Sequence, residues 1–535
     1  MTVSTPLQLF GALVDSAAWP ALRIILHLAF FAAAVIILWR IWTRLAGAKS
    51  RPGQTLQLFG ALPMAGVAAA FLGVLLYQAS WHLTGLFRPA FVAFMQSHDR
   101  REFNPAHRIQ RGRILDRHGQ VLAESQERDG RVYRVYPFGR AFAHTVGYSD
   151  PRFGAIGAEA AANAQLNGAT PEILASWGEL GRQLLTKDKR PRGQDLELTL
   201  DAELQLLALQ QLGSRHGAVV LLRPADGALL VLANNPAFDP NRLSPGLFSG
   251  PAAGTPLLNR ATQGLYPPGS VFKVVLAAAA IESGFNGTLH CPAGGYTTSS
   301  RYPPIRDHDY YTAAKAGRTW AGHGNLNLTT ALVESSNVFF AQLGVRLGHD
   351  SFAGAGERFQ FDRQVRLYPG TDRYGNLSTG RLPRFARNDL YGLAQASIGQ
   401  GRVLATPGHL ATIAAAVANR GLAMRPRLLA QEPPAPLGQY MTEETAARLA
   451  QILRKVVTTG TGRGIDGPQL AIAGKTGTAQ NPRGAAHSWF IGFAPAAAPT
   501  LAVAVLVEHG GYGSSAAAPI ARDLLLKAME LENAR

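Results

Sequence analysis

A single cysteine, Cys291, in 535 residues leaves no partner for an internal disulfide and no thiolate cage for a metal. Its default is that of a small buried hydrophobe. Runs of one residue type are few and no internal repeat is visible, so most of the chain should fold, as roughly two to four domains. Acidic residues are the minority, 35 against 52 lysines and arginines for a net charge of +17, and none occurs between Asp15 and Asp99. A basic excess alone would raise nucleic acid as a partner. The acid-free gap, however, holds two apolar stretches, at about 20–42 and 58–77, which make an anionic envelope surface the better match and nucleic acid an unexpected one. The second stretch carries no charge over 20 residues, enough to cross a bilayer core. Arg40, Arg44, Lys49 and Arg51 lie at the end of the first stretch and between the two, which makes that loop cytoplasmic and puts both termini outside, although Arg88, Arg100 and Arg101 weaken the bias. A cleaved signal peptide competes for the first stretch. The extreme N-terminus lacks the usual basic residues, so a retained helix is expected.

The most informative stretch is Tyr266-Pro-Pro-Gly-Ser-Val-Phe-Lys273, followed by Val-Val-Leu-Ala-Ala-Ala-Ala-Ile281. Pro267, Pro268 and Gly269 open a helix more readily than they continue one, which places Ser270 at or just inside a helix N-terminus and Lys273 one turn on. Residues three apart share a helical face, so hydroxyl and amine can meet. The helix is apolar on every side apart from Lys273, the pattern of a buried helix. A serine hydroxyl becomes a nucleophile when a neighbouring base takes its proton. Lysine serves as that base only when neutral, which at pH 7 costs roughly 4.6 kcal/mol from a reference pKa of about 10.4. Burial and a second cation lower that pKa. The plain alternative is an N-cap serine beside a lysine that snorkels to solvent.

Two further fragments follow in order. Ser335-Ser-Asn337 lies 65 positions on (335 − 270), and Lys475-Thr-Gly-Thr478 begins 138 positions beyond Asn337 (475 − 337). Alone, the first reads as a helix cap or turn and the second as an edge strand with an exposed lysine. Ser-x-x-Lys, Ser-x-Asn and Lys-Thr-Gly in this order resemble the signature set of penicillin-binding proteins and serine β-lactamases.

Gln110-Arg-Gly-Arg-Ile-Leu-Asp-Arg-His-Gly-Gln-Val-Leu-Ala123 reads as strand, turn, strand, with the turn at 116–119. It is similar to the segment that opens the pedestal of class B penicillin-binding proteins. Ala143-His-Thr-Val-Gly-Tyr148 through Gly157-Ala-Glu159 is similar to the pedestal's other recurring segment, where a Gly-x-Glu follows a Val-Gly-Tyr-like strand. β-Lactamases and small carboxypeptidases lack such a pedestal, so the resemblance narrows to class B. The charged run 187–193 reads as a linker. Beyond it come a helix at 202–212, a wholly apolar hairpin at 218–222 and 228–233, strands at 469–478, 488–493 and 500–508, and a closing helix at 516–531. Gly399-Gln-Gly401, Thr406-Pro407 and Ala418-Asn-Arg-Gly421 also resemble the class B segment that precedes Lys-Thr-Gly. The expected fold class is α+β: a β-lactamase/transpeptidase-like domain, an antiparallel sheet flanked by helices, over 196–535. It follows a pedestal over 88–195 and a membrane anchor with two transmembrane helices over 1–87.

The resemblance implies a peptidoglycan D,D-transpeptidase of the bacterial cytoplasmic membrane, with its catalytic domain on the outer side. Ser270 would attack the carbonyl between two terminal D-alanines of a stem peptide, with Lys273 as proton acceptor and Ser335 as relay to the leaving amine. Asn337 would hold Lys273 and the substrate amide. Lys475 would lower the pKa of Lys273 and, with Thr476, Gly477 and Thr478, receive the substrate's terminal carboxylate. Backbone N–H groups of Ser270 and Thr478 would bind the oxyanion. Expected partners are stem peptides, β-lactam antibiotics, membrane lipid and a membrane glycosyltransferase; no cofactor is implied. Cys291, His323 and His308, which lies between Asp307 and Asp309, lack the close spacing of a zinc motif, so no metal is assigned and a solvated loop is the default. Competing readings are a D,D-carboxypeptidase, which differs only in the acceptor, and a membrane-bound β-lactam sensor. A β-lactamase fits poorly: the middle motif is Ser-Ser-Asn, and no Glu-x-x-x-Asn lies between 338 and 474.

Overall fold

The computed structural model describes residues 110–129, 131–168, 193–249, 254–368, 375–467, 469–481 and 484–534, with isolated helical positions between 36 and 78. Apart from those isolated positions, the apolar stretches at 20–42 and 58–77 lie outside the described residues, as does most of the linker run, 187–192. No helix among the described residues is long and apolar enough to cross a membrane. Residues 105–535 form one compact unit and 1–104 another.

The first sheet combines β1 (Ile114–Leu115), β2 (Val121–Arg128), β3 (Arg131–Val135) and β4 (Leu196–Glu197) in the order β3-β2-β1-β4. The β1–β2 turn forms where the sequence places it. Asp116 Oδ1 accepts from the N–H groups of His118 and Gln120, both at 2.8 Å, an aspartate turn of the usual kind. Its Oδ2 accepts from Ala202 N at 3.0 Å, so one buried carboxylate shapes the hairpin and holds the start of α1 (Ala202–Leu212). Beside the sheet, Glu159 is fully buried between Arg111 at 2.7 Å and Arg134 at 2.6 Å. Burial alone would raise its pKa; the guanidiniums of Arg134 and Arg111 overcome this and hold it below the ordinary carboxylate value. The two pedestal-like segments of the sequence thus meet in one ion-paired cluster. One expectation needs correction: in the expected Val146-Gly-Tyr148 strand, Val146 ends a helical turn, Ala143–Val146, and the strand begins only at Tyr148. Ala143 and Val146 are both buried, and residues three apart share a face in a helical turn but not in a strand.

The larger sheet joins β5 (Gly217–Leu222), β6 (Leu229–Asn235), β7 (Ala473–Asn481), β8 (Gly484–Ala494) and β9 (Leu501–Val507). Its order is β7-β8-β9-β5-β6, antiparallel throughout. Both faces are covered, which is why β5 is apolar at every position rather than at alternate ones. Val219, Leu221, Val503 and Val505 pack with α1 and the closing helix, whereas Val220, Leu222, Ala502 and Ala504 face the central helices. Those helices are α2 (Lys273–Glu282), α4 (Leu328–Glu334), α5 (Asn337–Arg358), α6 (Leu390–Ser397), α7 (Pro407–Ala418) and α8 (Glu443–Thr458); α3 (His308–Lys315) has no buried residue, and α9 (Gly513–Asn533) closes the chain. The expected α+β layering is the observed one. β7 starts at Ala473 rather than 469 because Leu470 N–H turns back to the Gly467 carbonyl at 3.0 Å before the strand begins.

Candidate active site

Three elements bring the sequence-singled residues together. Ser270 sits in a 3-10 turn, Gly269–Phe272, that leads directly into α2, and every residue of α2 from Lys273 to Ala280 is buried. Gly269 opens that turn at φ +55, where a Cβ would meet the Thr478 carbonyl oxygen at 2.7 Å. Only glycine lets the turn approach β7 so closely. Ser335 is the C-cap of α4 at φ +59, and Ser336 is the N-cap of α5, accepting from Phe339 N at 3.1 Å. The cap reading of Ser-Ser-Asn is therefore correct as local structure, and the same corner carries the functional side chains. Lys475 lies on β7, an edge strand as expected of Lys-Thr-Gly, but its side chain is wholly buried rather than exposed.

The two lysines converge on one hydroxyl. Lys273 Nζ donates to Asn337 Oδ1 at 2.8 Å and to the Ser335 carbonyl at 2.6 Å, and lies 3.4 Å from Ser335 Oγ. Lys475 Nζ donates to Ser335 Oγ at 2.8 Å and to the Thr476 carbonyl at 3.0 Å. Two fully buried ammonium groups sharing a serine cannot both stay charged. Burial lowers the Lys273 pKa to about 7, partly opposed by the nearby Asp307 carboxylate. Lys475 is lowered well below its ordinary value, first by burial and then by repulsion from Lys273. On Lys273 the first cause is desolvation, and the expected effect of a second lysine is present as the repulsion between the two.

A cavity of about 590 Å³ opens over this cluster, with Ser270, Ser335, Asn337, Thr476 and Thr478 in its wall. Neither lysine is among the residues of that wall, whereas Thr476 and Thr478 are. Gly477 does not line it either: a Cβ there would meet Val271 Cγ1 at 2.9 Å and Trp489 Cβ at 3.0 Å, so its contribution is clearance. Sequence reasoning missed Thr461, whose Oγ1 lies 2.8 Å from Thr476 Oγ1 at the cavity wall. The hydroxyl-rich Thr458-Thr-Gly-Thr-Gly462 was the available signal. It also missed Tyr391, in the wall and stacked on Tyr302 at 4.3 Å.

The residues weighed as metal ligands only partly gather. Ser336 Oγ lies 3.1 Å from Asp307 Oδ2 and 3.8 Å from Cys291 Sγ, and His323 Nε2 lies 3.3 Å from Asp309. His308 instead packs edge-on against Tyr512 at 4.9 Å. Among the described residues no three of these side-chain types are arranged to hold a metal ion.

Residues 217–526 match the penicillin binding protein transpeptidase domain, and residues 111–195 the penicillin binding protein A dimerisation domain. The peptidoglycan D,D-transpeptidase PbpA of Mycobacterium tuberculosis is 33% identical over 463 residues, 79% of this chain and 90% of that one. The peptidoglycan D,D-transpeptidase MrdA of Acinetobacter baumannii is 31% identical over 72% of this chain and 65% of its own. The ceftriaxone acyl-enzyme complex of penicillin-binding protein A from M. tuberculosis superposes with a TM-score of 0.69 at 30% identity, covering 80% of this chain and 99% of that one. The fold is therefore the transpeptidase/β-lactamase-like one, and the chain belongs to the class B penicillin-binding proteins.

Proposed function

We propose that this protein is a peptidoglycan D,D-transpeptidase that cross-links stem peptides through an acyl-serine intermediate and is inhibited by β-lactams. The observation that carries the reading is the Ser335 hydroxyl held between Lys273 and Lys475, beside Ser270 at a cavity able to take a peptide terminus. The named relatives and the acyl-enzyme complexes among the similar structures support it.

In this mechanism neutral Lys273 takes the Ser270 proton as Oγ attacks the carbonyl carbon of the penultimate D-alanine. The oxyanion is met by the backbone N–H groups of Ser270 and Thr478. Ser335 passes a proton from the lysine pair to the departing nitrogen, the C–N bond breaks, and D-alanine leaves with the acyl group on Ser270. An acceptor amine then attacks the ester, Lys273 takes its proton and returns it to Ser270 Oγ, and the C–O bond breaks as the new amide forms. Asn337 orients Lys273 and the substrate amide, and Thr476 and Thr478 hold the terminal carboxylate. The domains proposed are an anchor over 1–87, a pedestal over 88–195 and the catalytic domain over 196–535. Helices at about 20–42 and 58–77 would hold the protein in the cytoplasmic membrane with the catalytic domain outside, in contact with lipid and a membrane glycosyltransferase. The acid-free, basic N-terminal region supports that placement.

Intact mass after benzylpenicillin, beside Ser270→Ala, tests the core of this reading. A persistent one-drug adduct that disappears in the variant is expected; turnover of the drug without an adduct would point to a β-lactamase. A donor–acceptor peptide assay then separates cross-linking from release of D-alanine to water. Hydrolysis alone would make the protein a carboxypeptidase, and an adduct with neither product would favour a sensor.

A further inference from the structure

We propose that Asp307 is a positioning residue for acyl transfer: together with the Arg306 carbonyl it fixes the corner of Ser335, Ser336 and Asn337 on which the two lysines converge. The inference rests on the acyl-transfer reading above. Asp307 occupies the N-cap position of α3, where an aspartate ordinarily accepts from N–H groups of its own helix. It makes no such bond. Its side chain, 2% exposed, turns instead to α5, a helix with no acidic residue in its first turn. Oδ1 accepts from Val338 N at 3.0 Å, and Oδ2 accepts from Ser336 Oγ at 3.1 Å. A negative charge at that helix N-terminus is favoured by the helix dipole as well.

The neighbouring residue completes the clamp. The Arg306 carbonyl accepts from Asn337 Nδ2 at 3.1 Å, which settles the flip of the carboxamide and aims Oδ1 at Lys273 Nζ. Ser335, at φ +59, holds a left-handed conformation that a non-glycine residue keeps only when its surroundings over-determine it. A dipeptide 29 residues upstream of Ser336 Oγ supplies that constraint. Asp307 also carries the negative charge that most directly opposes deprotonation of Lys273. His323 Nε2 approaches it to 3.9 Å from the strand Gly322–Asn327, and Cys291 of Thr288–Pro292 lies behind Ser336. Lys273 in turn faces Asn337, the Phe340 ring at 5.7 Å, and Lys475 across Ser335.

The test uses the full chain, with Asp307→Asn and Ser336→Ala, and reads the second-order acylation rate with a fluorescent penicillin across the pH range, alongside thermal melting. Asp307→Asn should lower the plateau rate about tenfold or more and move the acidic limb to lower pH, because the carboxylate no longer supports protonated Lys273. Ser336→Ala keeps that charge; it should lower the plateau by about threefold and leave the limb in place. A residue that only caps α5 would change the melting temperature and neither kinetic feature, and that result for Asp307→Asn overturns the proposal. If Asp307→Asn fails to fold, a wild-type plateau in Ser336→Ala overturns it instead. A wild-type protein that is never acylated would overturn the underlying reading rather than the role of Asp307 within it.

Discussion

The pH dependence of acylation is where the buried lysine pair makes its sharpest demand. An ordinary lysine, with a pKa near 10.5, is neutral at pH 7 in about one molecule in three thousand. With its pKa lowered by burial to about 7, Lys273 is neutral in about half, a gain of roughly three powers of ten in available base. The rate of acylation of Ser270 should therefore rise through about pH 7 and level off by about pH 8, as read by stopped-flow with a fluorescent penicillin. Lys273→Arg, which stays charged at every accessible pH, should lose the reaction throughout. The same shift has a thermodynamic face. Between about pH 7 and 10.5 the unfolded chain binds a proton that folded Lys273 does not, so stability rises with pH through that window. The burden is complete below pH 7, at about 5 kcal/mol before the lysine's hydrogen bonds are counted. Compared with Lys273→Met, wild type should gain stability on going from pH 7 to 10. A rate that is flat from about pH 6 to 9, or that rises only near pH 10, would refute the assignment of Lys273 as a neutral base in the resting protein.

Ser335→Ala should lower acylation by about a hundredfold with little change in melting temperature, because it removes the hydroxyl shared by both lysines and leaves the backbone corner intact. Gly269→Ala should cost about 2 kcal/mol or more in chemical denaturation, and most of the acylation rate, since its Cβ would meet the Thr478 carbonyl oxygen at a backbone φ of +55. Glu159→Gln should destabilise by about 3 kcal/mol at pH 7, because it strands two buried guanidiniums. The stabilisation from Glu159 is present above its unfolded pKa and is lost as pH falls through the lowered folded value, so the variant and wild type should converge in acid. Thr461→Val should weaken capture of a carboxylate-bearing drug by about threefold to tenfold, read as the second-order rate with benzylpenicillin, by freeing Thr476 Oγ1.

The residues legible in the sequence are those whose chemistry demands a fixed type at a fixed local spacing. Ser270 and Lys273 announced themselves because a charged group stood alone at the entrance of an apolar helix. The hairpin of β5 and β6 was legible because burial on both faces removes the alternation of a half-exposed strand. The bounds of α1, Ala202–Leu212, follow from Asp201, which caps it. What stayed hidden depends on contacts between distant segments. Asp307 looks like the cap of the helix it begins, and only its bonds to Ser336 and Val338 at the start of α5 show that it serves the other one. Thr461 meets Thr476 across 15 residues and two elements. Lys475 reads as exposed on an edge strand, and its burial depends on what packs around β7 rather than on its own neighbours in sequence.

The order of the larger sheet has a consequence for how the protein is made. β5 pairs with β9, so Leu222 waits for Ala502, 280 residues later (502 − 222), before its hydrogen-bonding edge is closed. During synthesis β5 and β6 emerge as an apolar hairpin, and its β5 edge stays open while the whole helical region is made. Lys475 arrives only with β7, so a nascent or truncated chain has Ser270 and Lys273 but lacks the second lysine of the site. Such long-range closure is slow to form and exposes a sticky edge until it does. Loss of the last 35 residues, 501–535, would therefore remove β9 from the middle of the sheet and leave an aggregation-prone chain rather than a shortened enzyme.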